Sequence, residues 1–144
     1  MRVTNSIQRA LGLALFIGLV GTTAVSAQST YETKSQDWWD GLQEQLSESV
    51  SSDIAQVRQD AVRQVIFFAE NYDNFVNFDD AAYEIMGRFE TSEDIGERLM
   101  ALAALNAIGE DGTLGRLARV ASAEKSDRVR AVTAAVLSAH AASL

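Results

Sequence analysis

The chain has 144 residues, with 20 Asp and Glu against 12 Lys and Arg and neither Cys nor Pro. That length holds one domain with a modest core, and the formal charge of −8 sets nucleic acid and anionic lipid aside as partners, because like charge opposes both. The missing Cys excludes disulfide frameworks, thiolate metal sites and cysteine nucleophiles, while the missing Pro and the plentiful Ala, Leu, Gln and Glu favour helix over strand.

The first 27 residues have the three parts of a secretory signal. Arg2 and Arg9 give a positive start, Ala10 to Val20 is an apolar run, and Val25-Ser26-Ala27 places small residues ahead of Gln28. Cleavage between Ala27 and Gln28 is expected, which takes the formal charge from −8 to −10 and sends the product to the periplasm or the medium. An uncleaved anchor is the alternative, but the run is broken by Gly21-Thr22-Thr23 and is short for about 30 Å of hydrocarbon. No transmembrane segment is expected after signal removal. Residues 28–37 are polar and without period, so they read as a flexible leader, and a single all-helical domain is predicted over 38–144.

Within that domain three stretches share one plan: a shorter amphipathic helix, an acidic or Ser-containing turn, and a longer apolar helix with an early Arg. The first runs from Asp40 to Leu46, through Ser51-Ser52-Asp53, into Ile54 to Ile66. The second runs from Ala81 to Phe89 behind Asp79-Asp80, through Thr91-Ser92-Glu93-Asp94, into Ile95 to Leu105. Thr91 or Ser92 is expected to cap its second helix. The third runs from Thr113 to Val120 behind Asp111-Gly112, through Lys125-Ser126-Asp127, into Arg128 to Leu137. Arg58, Arg98 and Arg130 align at spacings of 40 and 32 residues. The apolar arcs of the longer helices, such as Ile95, Leu99, Leu102 and Leu105, are too wide for packing on one side. Burial both against a hairpin partner and against the next unit accounts for them.

The run from Arg98 through Ala101, Leu102, Leu105, Ile108-Gly109-Glu110-Asp111, Leu114 and Leu117 to Asp127, Val129 and Arg130 resembles the short HEAT-like repeats, including those of the phycobilisome-lyase type. The likeness covers about residues 95–140. It departs from those repeats at Gly115, where Pro is common, and in the insertion from Tyr72 to Phe78. The resemblance implies a short right-handed α-solenoid of about three antiparallel helix pairs, with Asp and Arg near the turns forming a hydrogen-bond ladder. It does not imply lyase chemistry, since such repeats serve many scaffolds and adaptors.

No constellation specifies catalysis, a cofactor or a small-molecule substrate. Tyr72-Asp73-Asn74-Phe75-Val76-Asn77-Phe78-Asp79-Asp80 offers oxygens in a loop but lacks the alternation and bidentate Glu of a calcium loop. It reads as an aromatic-stapled connection with Asp79 or Asp80 as helix cap. His140 is the only histidine and has no Cys or second His for a transition metal. Glu93, Asp94 and Glu97 sit where a helix dipole wants acid. The adjacent Trp38 and Trp39, which point about 100° apart on a helix, are read first as capping the open N-terminal end of the stack, one or both of them; the alternative is that one is exposed to a partner, with Trp38 as the candidate.

The sequence therefore favours a non-enzymatic scaffold or adaptor that binds a protein partner. An envelope protein without a specific ligand, structural or stress-related, and an accessory enzyme using surface carboxylates are the rivals. The acidity is uneven: residues 28–97 carry a net −12 and residues 98–144 a net +2. The last helix has no following unit in the repeat plan, so Arg128, Arg130, Val132, Val136 and His140 are expected to form an association surface. Its occupant is either an acidic partner or, through weak self-association, the acidic end of another copy.

Overall fold

The computed structural model describes residues 30–143, so the signal segment and its Ala27–Gln28 junction lie outside the described residues, whereas the stretch expected to be a flexible leader is helical at 30–32 and, from Gln36, part of the first long helix. The described residues divide after Ser35 into two units, 30–35 and 36–143. Of the first, residues 30–32 are helical and the Thr33 hydroxyl donates to the Thr30 carbonyl at 3.0 Å.

In the second unit the described residues form α1 (Gln36–Val50), α2 (Ala55–Asn71), α3 (Asp79–Thr91), α4 (Ile95–Ile108), α5 (Asp111–Val120), a 3-10 turn (Ala121–Ala123) and α6 (Asp127–Ser143). No strand occurs among the described residues, and none of their helices is long and apolar enough to cross a membrane. Helix α1 starts two residues before Trp38 and runs to Val50, four residues beyond the predicted Leu46.

Contacts run in two ways. Each odd helix packs on the even helix that follows it, α1 on α2, α3 on α4 and α5 on α6. Like also packs on like, α2 on α4 and α4 on α6, with α1 on α3 and α3 on α5 in the other row. Helix α4 thus has neighbours on three sides, which is why Ala101, Leu102, Ala104 and Leu105 are all buried. Two of these are Ala, whose small side chain suits close approach between packed helices.

Local chemistry sets the helix ends. Asp94 has extended backbone and its carboxylate accepts from Glu97 N at 2.7 Å, so Asp94 caps α4. Neither Thr91 nor Ser92 does so, because the Thr91 hydroxyl turns back to the Gly87 carbonyl at 2.9 Å and Ser92 Oγ serves Asp94 N and Glu97. Gly109 ends α4 at φ +70°, the one left-handed residue among those described. Glu110 caps α5 by accepting from Gly112 N at 2.7 Å and Thr113 N at 2.6 Å. Before α3 the capping acceptor is Asn77, which takes Asp79 N at 2.8 Å. Asp79 and Asp80 lie instead inside the first turn, where their charge suits the helix dipole.

The insertion builds the core of the α1 end. Trp39, 1% exposed, stacks on Phe75 at 5.1 Å and lies 5.4 Å from Tyr72 and 6.0 Å from Phe68, with Trp38 edge-on at 5.0 Å. The loop is tied to α1 by Asn77 N donating to Gln43 Oε1.

Candidate protein interaction surface

Two of the three aligned arginines, Arg58 and Arg98, form rungs between successive hairpins. Arg58 donates from Nη1 to the Ser52 carbonyl at 2.7 Å, in the turn before its own helix, and from Nε to Glu97 Oε1 at 2.8 Å, in the first turn of α4. Arg98 repeats the pattern one unit on. Its Nε meets the Phe89 carbonyl at 3.0 Å, and its two terminal nitrogens straddle Glu124, Nη1 at 3.2 Å from Oε1. The guanidinium carbon also lies 4.7 Å over the Phe89 ring, a cation–π contact. Arg130 takes the turn carbonyl of Glu124 at 3.1 Å, and among the described residues its other side reaches only Asp127 on its own helix.

The acceptors are held ionised. The Ser92 hydroxyl at 2.6 Å, with Arg58 and against the effect of burial, keeps the Glu97 carboxyl below the usual carboxylate range. Arg98 does the same for Glu124 against burial, helped by Ser126 N at 2.8 Å. At Glu110 burial pushes the carboxyl up, but the amides of Thr113 and Gly112 outweigh it and the net direction is down. In the other row Arg116 pairs with Glu90 across α3 and α5 at 2.9 Å.

The residues named as one association surface separate in space. Arg128 and Arg130 are exposed at the start of α6. Val136 is not on the surface: it is 6% exposed and faces inward with Val129 and Thr133, because the inner stripe of α6 fills the space beside α4 and α5. Val132 is half-buried at the edge of that stripe. His140 lies ten residues beyond Arg130, about 15 Å along the helix, with Nε2 3.3 Å from Asp111 Oδ1, in a hollow of ≈ 310 Å³ lined also by Asn106, Leu114 and Ser143. Trp38 is half-buried on α1, which packs on α2 and α3.

Among the described residues no group of three or more His, Asp or Glu side chains is arranged to hold a metal ion. The exposed large apolar side chains are Ile54, Val57, Phe67, Phe75, Tyr83 and Ile95, and none of these was singled out from the sequence as a contact residue. Glu124 was missed as a ladder acceptor too, although a carboxylate six residues before the aligned Arg130 was there to be seen. No protein-family model, curated protein or solved structure matches the chain.

Proposed function

We propose that the chain is an exported, non-enzymatic scaffold or adaptor, its helices forming a short right-handed α-solenoid of HEAT-like hairpins that binds a protein partner. The observation that carries this reading is the ladder. At the same place in the second helix of the first two units an arginine reaches from a backbone carbonyl of its own unit to a carboxylate of the next hairpin, Arg58 to Glu97 and Arg98 to Glu124, as the stacking of repeated units would produce. A stack of hairpins offers extended surface rather than a deep pocket.

The carboxylates support the same reading over the enzymatic rival. A general acid at neutral pH needs its carboxyl raised, whereas Glu97, Glu110 and Glu124 are lowered by bonds that cap helices or join hairpins. Exposed Ile54 and Tyr83, at 64% and 55%, support a partner-binding surface over an envelope protein without a ligand. The test is capture from the native envelope extract on immobilised residues 28–144, followed by titration of each purified candidate against the domain. Saturable binding by at least one candidate is expected, and its absence overturns the scaffold reading. Intact mass of the exported product tests the signal segment: the product should begin at Gln28, and one retaining Met1 refutes cleavage.

A further inference from the structure

The geometry points to the start of α6 as a docking site for a helix of another protein that carries a carboxylate at its N-terminal end; this rests on the scaffold reading and names the partner's chemistry. Two complete rungs define what a third should contain. In each, one side of the guanidinium is fixed by a backbone carbonyl of its own unit and the other meets a carboxylate of the next. The acceptor sits at a helix start both times: Glu97 is the third residue of α4, and Glu124 precedes α6 by three residues.

Arg130 is held like Arg58, through a carbonyl six residues back. No carboxylate of another helix among the described residues reaches it. Its partner Asp127 is on the same helix, with the Arg130 and Asp127 side chains 53% and 91% exposed, and because water screens such a surface pair, exchanging it for an incoming carboxylate costs little. Arg128 and Lys125 lie beside it, both exposed, in the part of the chain that carries net positive charge. The site is therefore complementary to acid.

A second copy does not fit this rung. Counting back from the aligned arginines, the position of Glu97 is filled in the first unit by Val57 and the position of Glu124 by Ser52, so the α1–α2 end offers no carboxylate in register. Two α6 faces meeting would place arginine against arginine. The exposed Lys125, Arg128 and Arg130 favour by charge an acidic helix of a different protein.

The test uses the full chain and, as probe, a hydrocarbon-stapled helical peptide of residues 92–108, which contains the acceptor Glu97. Binding followed by fluorescence anisotropy should be saturable. It should weaken at least tenfold with Glu97→Gln in the peptide or Arg130→Glu in the protein, and fall with salt as the Debye length shrinks from about 30 Å at 0.01 M to about 3 Å at 1 M. Arg130→Ala and circular dichroism guard against misfolding of the charge-reversed variant. Amide shifts should map to residues 125–135. No binding at millimolar peptide, binding unchanged by both substitutions, or shifts confined to α1 and α2 would overturn the assignment while leaving the scaffold reading intact. Concentration-dependent light scattering by the chain alone, abolished by Arg130→Glu, would overturn it in favour of a second copy.

Discussion

Replacing Arg98 by Met tests the ladder, because Met keeps much of the aliphatic stem and removes the charge. The change deletes the bond to the Phe89 carbonyl, both bonds to Glu124 and the contact over the Phe89 ring. It leaves Glu124, whose side chain is 5% exposed, with the backbone amides of Ser126 and Lys125 as its partners. Breaking a fully buried pair costs about 3–5 kcal/mol; Arg98 is 18% exposed, so about 2–3 kcal/mol is expected after screening. That lowers Tm by roughly 10–15 °C in a domain of this size. Arg63→Met, at a pair about half exposed on both sides, should cost under about 0.5 kcal/mol. The folded Glu124 carboxyl lies below its ordinary value of 4.5, so the stability it brings is present above that value and disappears as pH falls through the folded one. Unfolding by far-UV circular dichroism between pH 7 and pH 3 should therefore show the Arg98→Met deficit shrinking in acid. A deficit below about 0.5 kcal/mol at pH 7, or one that stays constant with pH, would refute a structural ladder.

Three further substitutions probe single features. Gly109→Ala should cost about 1 kcal/mol in urea unfolding, since φ is +70° and the space around the position is open, leaving backbone strain as the sole cause. Ile54→Ser should add about 0.5–1 kcal/mol, because Ile54 occupies an extended N-cap with no side-chain cap where the other units place Asp94 and Ser126; no rise in Tm would show that Ser52 already satisfies the turn. Thr133→Val should raise stability by about 1 kcal/mol, because the buried Thr133 hydroxyl has no hydrogen-bond partner among the described residues, and a loss would reveal an unrecognised partner for it.

The helical class, the three hairpins and the alignment of the arginines were legible because they depend on period and spacing, which one sequence displays. The caps were less so. Thr91, Ser92 and Asp94 are all competent acceptors within four residues, and the choice of Asp94 follows from Ser92 being drawn into the bond with Glu97. The exposed face of α6 was misread because Val129, Val132, Val136 and Leu137 look like an outward stripe when the repeat plan supplies no following unit. In the fold the stripe is the inner one, shared with Thr133, and the residues turned outward are small, such as Ala131, Ala134 and Ala135. Composition cannot decide which side of an Ala-rich helix faces in, because both sides are weakly apolar.

The unequal spacing of the arginines has a physical origin. From Asp79 to Asp94 and from Asp111 to Ser126 the chain uses the same number of residues for a first helix and its turn. The difference between 40 and 32 residues therefore arises earlier, in the extra length of α2, 17 residues against 14 for α4, and in the longer connection from Tyr72 to Phe78. Those are the residues that surround Trp39 and take the grip of Gln43. Aromatic contacts worth about 0.5–1.5 kcal/mol each beyond their burial thus close the α1 end with a cluster that does not repeat. At the α6 end the arginine and its carbonyl anchor keep the repeated geometry. The two ends are consequently unlike in chemistry: one is sealed by aromatic packing, and the other presents a cation already oriented for a carboxylate.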